Sequence, residues 1–95
     1  MHVRDFQEMM HRLYYHKDSR RSVKDTYDWL LDEVEELGDA LQHRSKEELE
    51  KEFAEVFAWL ASLANVVSVD LEIAALSKYN NKCPKCGCLP CECPP

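Results

Sequence analysis

Apolar residues recur at helical spacing in four successive stretches of the chain. Val3, Phe6, Met10, Leu13 and Tyr14 define a first helix near residues 3–16. The polar segment from Lys17 to Ser22 breaks that pattern. Tyr27, Leu30, Val34, Leu37 and Leu41 then form one stripe of a second helix, from about Val23 to Gln42. His43 and Arg44 are expected to make a short turn. Ser45, followed three residues later by Glu48, reads as a capping box that opens a third helix. That helix is expected to bury Leu49, Phe53, Val56, Leu60, Leu63 and Val67, ending near Val67. Asp70 is placed to cap a fourth helix, with Ile73, Leu76 and Tyr79 toward the core. The final stretch, KCPKCGCLPCECPP, has no periodicity and reads as an irregular tail.

Composition agrees with an all-α class. The chain has two glycines and four prolines, and the prolines all fall at 84 or later, so the first eighty residues carry almost no turn punctuation. The expected architecture is a four-helix bundle over residues 1–82 with a central antiparallel helix hairpin, followed by a cysteine-rich tail at 83–95. At 95 residues, 45% apolar and 32% charged, this is one small soluble domain whose core is modest. Oligomerisation or a bound metal would help to hold it. No apolar run is long enough for a membrane span and no signal peptide is expected, which with five crowded cysteines favours reduced thiols in the cytoplasm.

Charge is segregated. Residues 1–24 balance to +3, residues 25–72 to −11 and residues 73–95 to +2, within a net charge of −6. An acidic middle repels phosphate backbones and makes a poor nucleic-acid surface. It suits a cation held by the middle with basic arms around an anion, or else a plain solvated acidic face.

The glutamate pairs favour the cation over the solvated face. Glu33 with Glu36, and Glu52 with Glu55, are spaced three apart, so each pair shares one helix face. In a hairpin centred near residue 44, Glu33 lies opposite Glu55 and Glu36 opposite Glu52, at roughly 12–17 Å from the turn. On the second helix Trp29, Glu33, Glu36 and Ala40 fall within an arc of about 60°, away from the main apolar stripe. Glu52, Glu55, Trp59 and Val66 occupy the equivalent arc of the third. Carboxylates mixed with both tryptophans look like the lining of a cleft. Four convergent carboxylates repel unless a hard cation neutralises them, and Mg²⁺ is the expected guest.

Cys83, Cys86, Cys91 and Cys93 offer four thiolates within eleven residues, with Pro84, Gly87 and Pro90 to turn the chain. A closed structural Zn²⁺ site is the expectation, against a disordered reduced tail or a redox or disulfide role. Cys88 is left over as a free thiol. His2, His11, His16 and His43 read as surface residues.

The acidic motifs resemble those of the MazG-like nucleotide pyrophosphohydrolases of the all-α NTP pyrophosphatase superfamily, whose signature is EExxE followed by ExxD. Here the halves read Asp32-Glu33-Val34-Glu35-Glu36 and Glu52-Phe53-Ala54-Glu55. Asp leads the first and Glu closes the second, so both departures keep a carboxylate. The stretch KDSRRSVKDTYDWLLDEVEEL is similar to a family segment at Arg21, Thr26 and Trp29, with Ser22 where Gly is common. Lys78-Tyr79 and Lys82 match basic positions near the end, whereas Leu76 replaces a frequent Asn. The similarity covers about residues 5–82.

The resemblance implies hydrolysis of nucleoside triphosphates, canonical or not, to monophosphate and pyrophosphate. Glu33, Glu36, Glu52 and Glu55 would hold Mg²⁺, or Mn²⁺ in its place, and Asp32 or one of the four would take the proton of the attacking water. Lys78, Lys82 and Arg21 would offset phosphate charge. Trp29 or Trp59 would stack on the base, with ordinary packing as the competing reading. Family members assemble as homodimers or larger oligomers, so a homodimer or homotetramer is expected. The alternatives are a phosphoribosyl-ATP, dUTP or dCTP pyrophosphatase-like activity, or a non-catalytic helical interaction module with a zinc-binding tail.

Overall fold

The computed structural model of the chain describes residues 1–43 and 45–95. Four helices follow one another: α1 (Val3–Asp18), α2 (Val23–His43), α3 (Lys46–Val66) and α4 (Leu71–Lys78). Among the described residues there is no strand. The turn expected at His43 and Arg44 includes Arg44, which lies outside the described residues.

Each helix begins and ends for a local reason. α1 runs two residues further than its apolar pattern, because Asp18 is buried rather than solvated. Ser22 caps α2 by accepting a hydrogen bond from the Asp25 N–H at 3.0 Å. At α3 the expected capping box does not form. Ser45 is the N-cap residue, but its side chain bonds no backbone N–H, and only its carbonyl takes up the Leu49 N–H. α3 stops in two nested bonds, Ser68 N–H to the Asn65 carbonyl and Val69 N–H to the Ala64 carbonyl, with Ser68 in the left-handed region. Asp70 caps α4 as its position predicts, accepting from the Ile73 N–H at 2.9 Å.

α3 is the central helix. α2 pairs with it along its length, α1 packs on it from another side, and α4 rests on α1. Phe6 stacks on Phe57 at 4.6 Å between centroids. Buried Gln7 ties the junction of α3 and α4, donating to Asn65 and the Val69 carbonyl and accepting from the Leu71 N–H. Arg4 reaches Asp70 at 3.0 Å and Glu72 at 3.4 Å.

The core inside one chain is small. Its buried apolar members are Met10, Ala40, Ala61 and Ala64. The main apolar stripe of α2 does not face inward as its periodicity suggests: Tyr27, Val34 and Leu41 are exposed, and Leu30 and Leu37 half-buried. On α3, Phe53 is 57% exposed, and Leu60 and Val67 also lie at the surface. Ile73, Leu76 and Tyr79 of α4, expected in the core, are exposed too. The cause is the pairing itself. α2 and α3 meet through the faces that carry glutamate, tryptophan and alanine, which leaves the more apolar faces outward.

Candidate functional site

The α2–α3 contact keeps hairpin register. Trp29 and Trp59, equidistant from position 44, stack with centroids 5.5 Å apart and planes 10° from parallel. Nearer the connection, carboxylate oxygens of Glu33, Glu36 and Glu52 all lie within 4.8 Å of one another. Glu33 is only 8% exposed. Among the described residues, Glu33 and Glu52 each keep one buried Oε2 with no hydrogen-bond partner.

Such an arrangement is electrostatically expensive. Burial, reinforced by Glu36 and Glu55, pushes the Glu33 carboxyl up to about 7 from its ordinary 4.5. Glu52 moves in the same direction, through burial and then the charges of Glu36 and Glu55. Both shifts report negative charge gathered without a counter-ion. A cation at this point would offset that charge, and the three carboxylates are placed so that they could hold one. Their all-oxygen chemistry fits a hard divalent ion.

Glu55 is not one of the three converging groups. It lines the adjoining cavity, about 450 Å³, together with Tyr14, Lys17, Asp18, Arg21 and Trp59. Asp18, 1% exposed, accepts a hydrogen bond from the Arg21 guanidinium. That guanidinium lies 5.2 Å from the centre of the Trp59 ring. Arg21 Nε and Asp18 Oδ2 are buried without partners among the described residues. The cavity thus combines two cations, two carboxylates and aromatic rings in one lining. On the far side of the cluster, a cleft of about 300 Å³ is lined by Glu36, Asp39, Glu48, Lys51 and Glu52. Its acidity makes the Arg21 cavity the better place for an anion.

The other sequence-derived residues are more scattered. Asp32 is exposed on α2, outside the converging set. Lys78 lies over the ring of its neighbour Tyr79, and among the described residues neither Lys78 nor Lys82 pairs with a carboxylate. α4 is anchored at Arg4, roughly 20 Å along α1 from Lys17. Among the described residues neither lysine forms an ion pair with the glutamates. Tyr14, Lys17 and Asp18 were not singled out by the sequence reasoning. The available signal was Tyr14 and Asp18 at i, i+4 on one face, with an opposite charge at Arg21 a further three residues on.

In the tail, the Sγ atoms of Cys83, Cys86, Cys91 and Cys93 also lie within 4.8 Å of one another, a second group able to hold a metal. The Glu92 and Cys88 backbone amides hold the Cys86 thiol down at about 6. Cys91 and Cys83 push Cys93 up to about 11, so one sulfur ionises at another's expense. The four histidines are exposed as expected.

The Glu33 shift sets the pH dependence of the metal-free fold. A carboxyl raised from 4.5 to about 7 contributes nothing below 4.5, where both states are protonated. Between those values the unfolded chain ionises while the folded one keeps its proton, so stability falls as pH rises. Thermal melts in chelator should show Tm declining across this window, with millimolar Mg²⁺ restoring it. Glu33→Gln should flatten the decline and raise the metal-free Tm at pH 7 by roughly 4–8 °C for each kcal/mol of repulsion removed. A metal-free Tm that rises across the window would contradict the assignment.

The family model for the MazG nucleotide pyrophosphohydrolase domain matches residues 21–87. That is more than half of the chain, which therefore belongs to this family. The match takes in α2, α3, α4 and all four glutamates, and leaves α1 outside. No curated protein matches the chain.

Proposed function

From this family membership and the geometry of the glutamates, we propose that the chain is a Mg²⁺-dependent pyrophosphohydrolase of nucleoside triphosphates, releasing monophosphate and pyrophosphate. The observation that supports it most is the convergence of Glu33, Glu36 and Glu52, with two orphaned oxygens, beside a cavity holding Lys17, Arg21 and Trp59. Mg²⁺ bound by those three residues, or Mn²⁺ in its place, supplies the positive charge that draws in the phosphate chain and acidifies an attacking water. Lys17 and Arg21, in the lining of the same cavity, bind the phosphates. Arg21 is pre-aimed, since Asp18 fixes one side of its guanidinium and Trp59 its face. Glu55 lines the same cavity outside the converging set, and is the carboxylate placed to take the proton of the water. The water oxygen joins one phosphorus of the α–β anhydride as the bond from that phosphorus to the bridging oxygen breaks, and monophosphate and pyrophosphate separate, the bridging oxygen staying with the other phosphorus. Trp29 and Trp59 give a flat apolar surface for a base. No single helix among the described residues is long and apolar enough to cross a membrane, and five unpaired thiols favour a reducing, cytoplasmic setting.

The enzyme acts as a homo-oligomer in this reading. A chain whose buried apolar residues are one methionine and three alanines has too little core to stand alone. A second copy against the outward faces of α2 and α3 covers Tyr27, Val34, Leu41, Phe53 and Leu60 together. Lys78 and Lys82, unpaired with carboxylates among the described residues, offset phosphate charge in this reading.

Incubation with Mg²⁺ and a panel of NTPs and dNTPs should release pyrophosphate. Glu36→Gln should lower kcat/KM by roughly 100-fold or more while keeping the helical circular dichroism. Release of orthophosphate, or undiminished activity in that variant, would overturn the reading. Trp59→Ala should raise KM by roughly tenfold, more than it lowers kcat. Light scattering should give at least twice the 11.1 kDa chain mass, and Phe53→Asp should shift it toward one chain. A wild-type protein that stays at one chain mass would remove the oligomer from the proposal.

A further inference from the structure

The tail has chemistry that a nucleotide-hydrolysing site does not use, and the family match ends at Gly87, between the second and third of the four clustered cysteines. Two backbone hydrogen bonds shape residues 83–88 into a tight knuckle. The Gly87 N–H donates to the Cys83 carbonyl at 2.8 Å, and the Cys83 N–H to the Cys88 carbonyl at 3.0 Å. Gly87 has φ +73°, a conformation that a side chain would strain. The chain then returns so that Cys93 lies against Cys83 at 3.7 Å between sulfurs, and Cys91 against Cys86 at 3.9 Å.

Those separations are diagnostic. A disulfide needs about 2.05 Å between sulfurs. Four thiolates around a tetrahedral Zn²⁺ at about 2.3 Å lie at the corners of a tetrahedron whose edge is roughly 3.8 Å. The two observed contacts bracket that edge. Backbone amides also point at the sulfurs, Glu92 N–H to Cys86 Sγ at 3.4 Å and Cys93 N–H to Cys91 Sγ at 3.3 Å. Such outer-shell donors stabilise the anionic form of a ligand. Lys82 and Lys85 flank Cys83 and offset the net negative charge of a tetrathiolate. Nothing apolar holds the tail: Leu89, its one large aliphatic residue, is 78% exposed.

We propose that Cys83, Cys86, Cys91 and Cys93 form a closed, structural Zn²⁺ site, and that this ion folds the tail. Zinc is preferred over ferrous iron because thiolate sites bind it more tightly. All four positions are filled by protein, leaving none for substrate, so the ion is not catalytic. Cys88 is excluded. Its Sγ turns to the Cys86 carbonyl at 3.5 Å and the Glu92 carboxylate at 3.7 Å. Removing the metal leaves four crowded thiols that cannot all ionise, and residues 83–93 lose their fold while α1–α4 keep theirs.

The test uses the full chain, purified under reducing conditions without chelator, and metal analysis by plasma mass spectrometry. One zinc per chain is expected. Cobalt exchange should produce the intense visible bands of a tetrahedral tetrathiolate. Cys86→Ser and Cys93→Ser should reduce zinc to background with unchanged helical circular dichroism, and Cys88→Ser should keep one per chain. Iron in place of zinc, no zinc together with no cobalt uptake, or full zinc retention in Cys86→Ser would each overturn the proposal. Loss of zinc in Cys88→Ser would overturn the ligand assignment. These readouts do not depend on the glutamates or on nucleotide turnover, so a failed pyrophosphatase assay leaves them standing.

Discussion

Repulsion among the carboxylates at the α2–α3 contact is the constraint around which this molecule is arranged. Glu33 is buried and Glu52 half-buried, each with one oxygen that nothing among the described residues satisfies, and neighbouring glutamates raise the cost further. A helix pair selected only for stability would put leucine there. This one places glutamate at the contact and offsets the cost with what lies beside it: the stacked tryptophans, Ala40 in the same stripe, and register fixed along both helices. The cost is local, and the same convergence is what makes these carboxylates a candidate cation site.

The remaining features follow from giving the inner faces to chemistry. With glutamate and tryptophan between α2 and α3, the apolar stripes of both helices point outward. The core within one chain is then too small for the surface it exposes. α1 contributes on the other side. It buries Asp18 against Arg21 and sets that guanidinium over Trp59, so the cationic part of the cavity lining is built before any anion arrives. Preorganisation of this kind lowers the cost of positioning at the moment of reaction.

The tail solves a different problem by a different means. It is too short and polar to bury a core of its own, and only close sulfur contacts and a few backbone bonds give it shape. The bundle and the tail therefore resemble each other in one respect. Each brings together groups that repel when charged, carboxylates in one and thiolates in the other, and each presents donors matched in hardness to a different kind of cation.

Four helices, the Asp70 cap and the antiparallel register of the glutamate pairs were legible in the sequence, because 3.6-residue periodicity and i, i+3 spacing are local properties of the chain. The clustering of the four cysteines was legible for the same reason, since they fall within eleven residues. Which stripe faces inward was not. α2 and α3 each carry two stripes, and hydrophobicity alone selects Tyr27, Val34 and Leu41, whereas the pairing buries Glu33 and Ala40. Nor did the pattern reveal that Ser45 would fail to form its box, or that Asp18, in a segment read as a polar break, would be among the most buried residues. That Glu33, Glu36 and Glu52 converge most closely, with Glu55 beside Glu33 and on the cavity lining, likewise emerged only in three dimensions. Sequence determines which faces a helix can offer. The choice between them depends on the partner surface, and that exists only once the helices have packed.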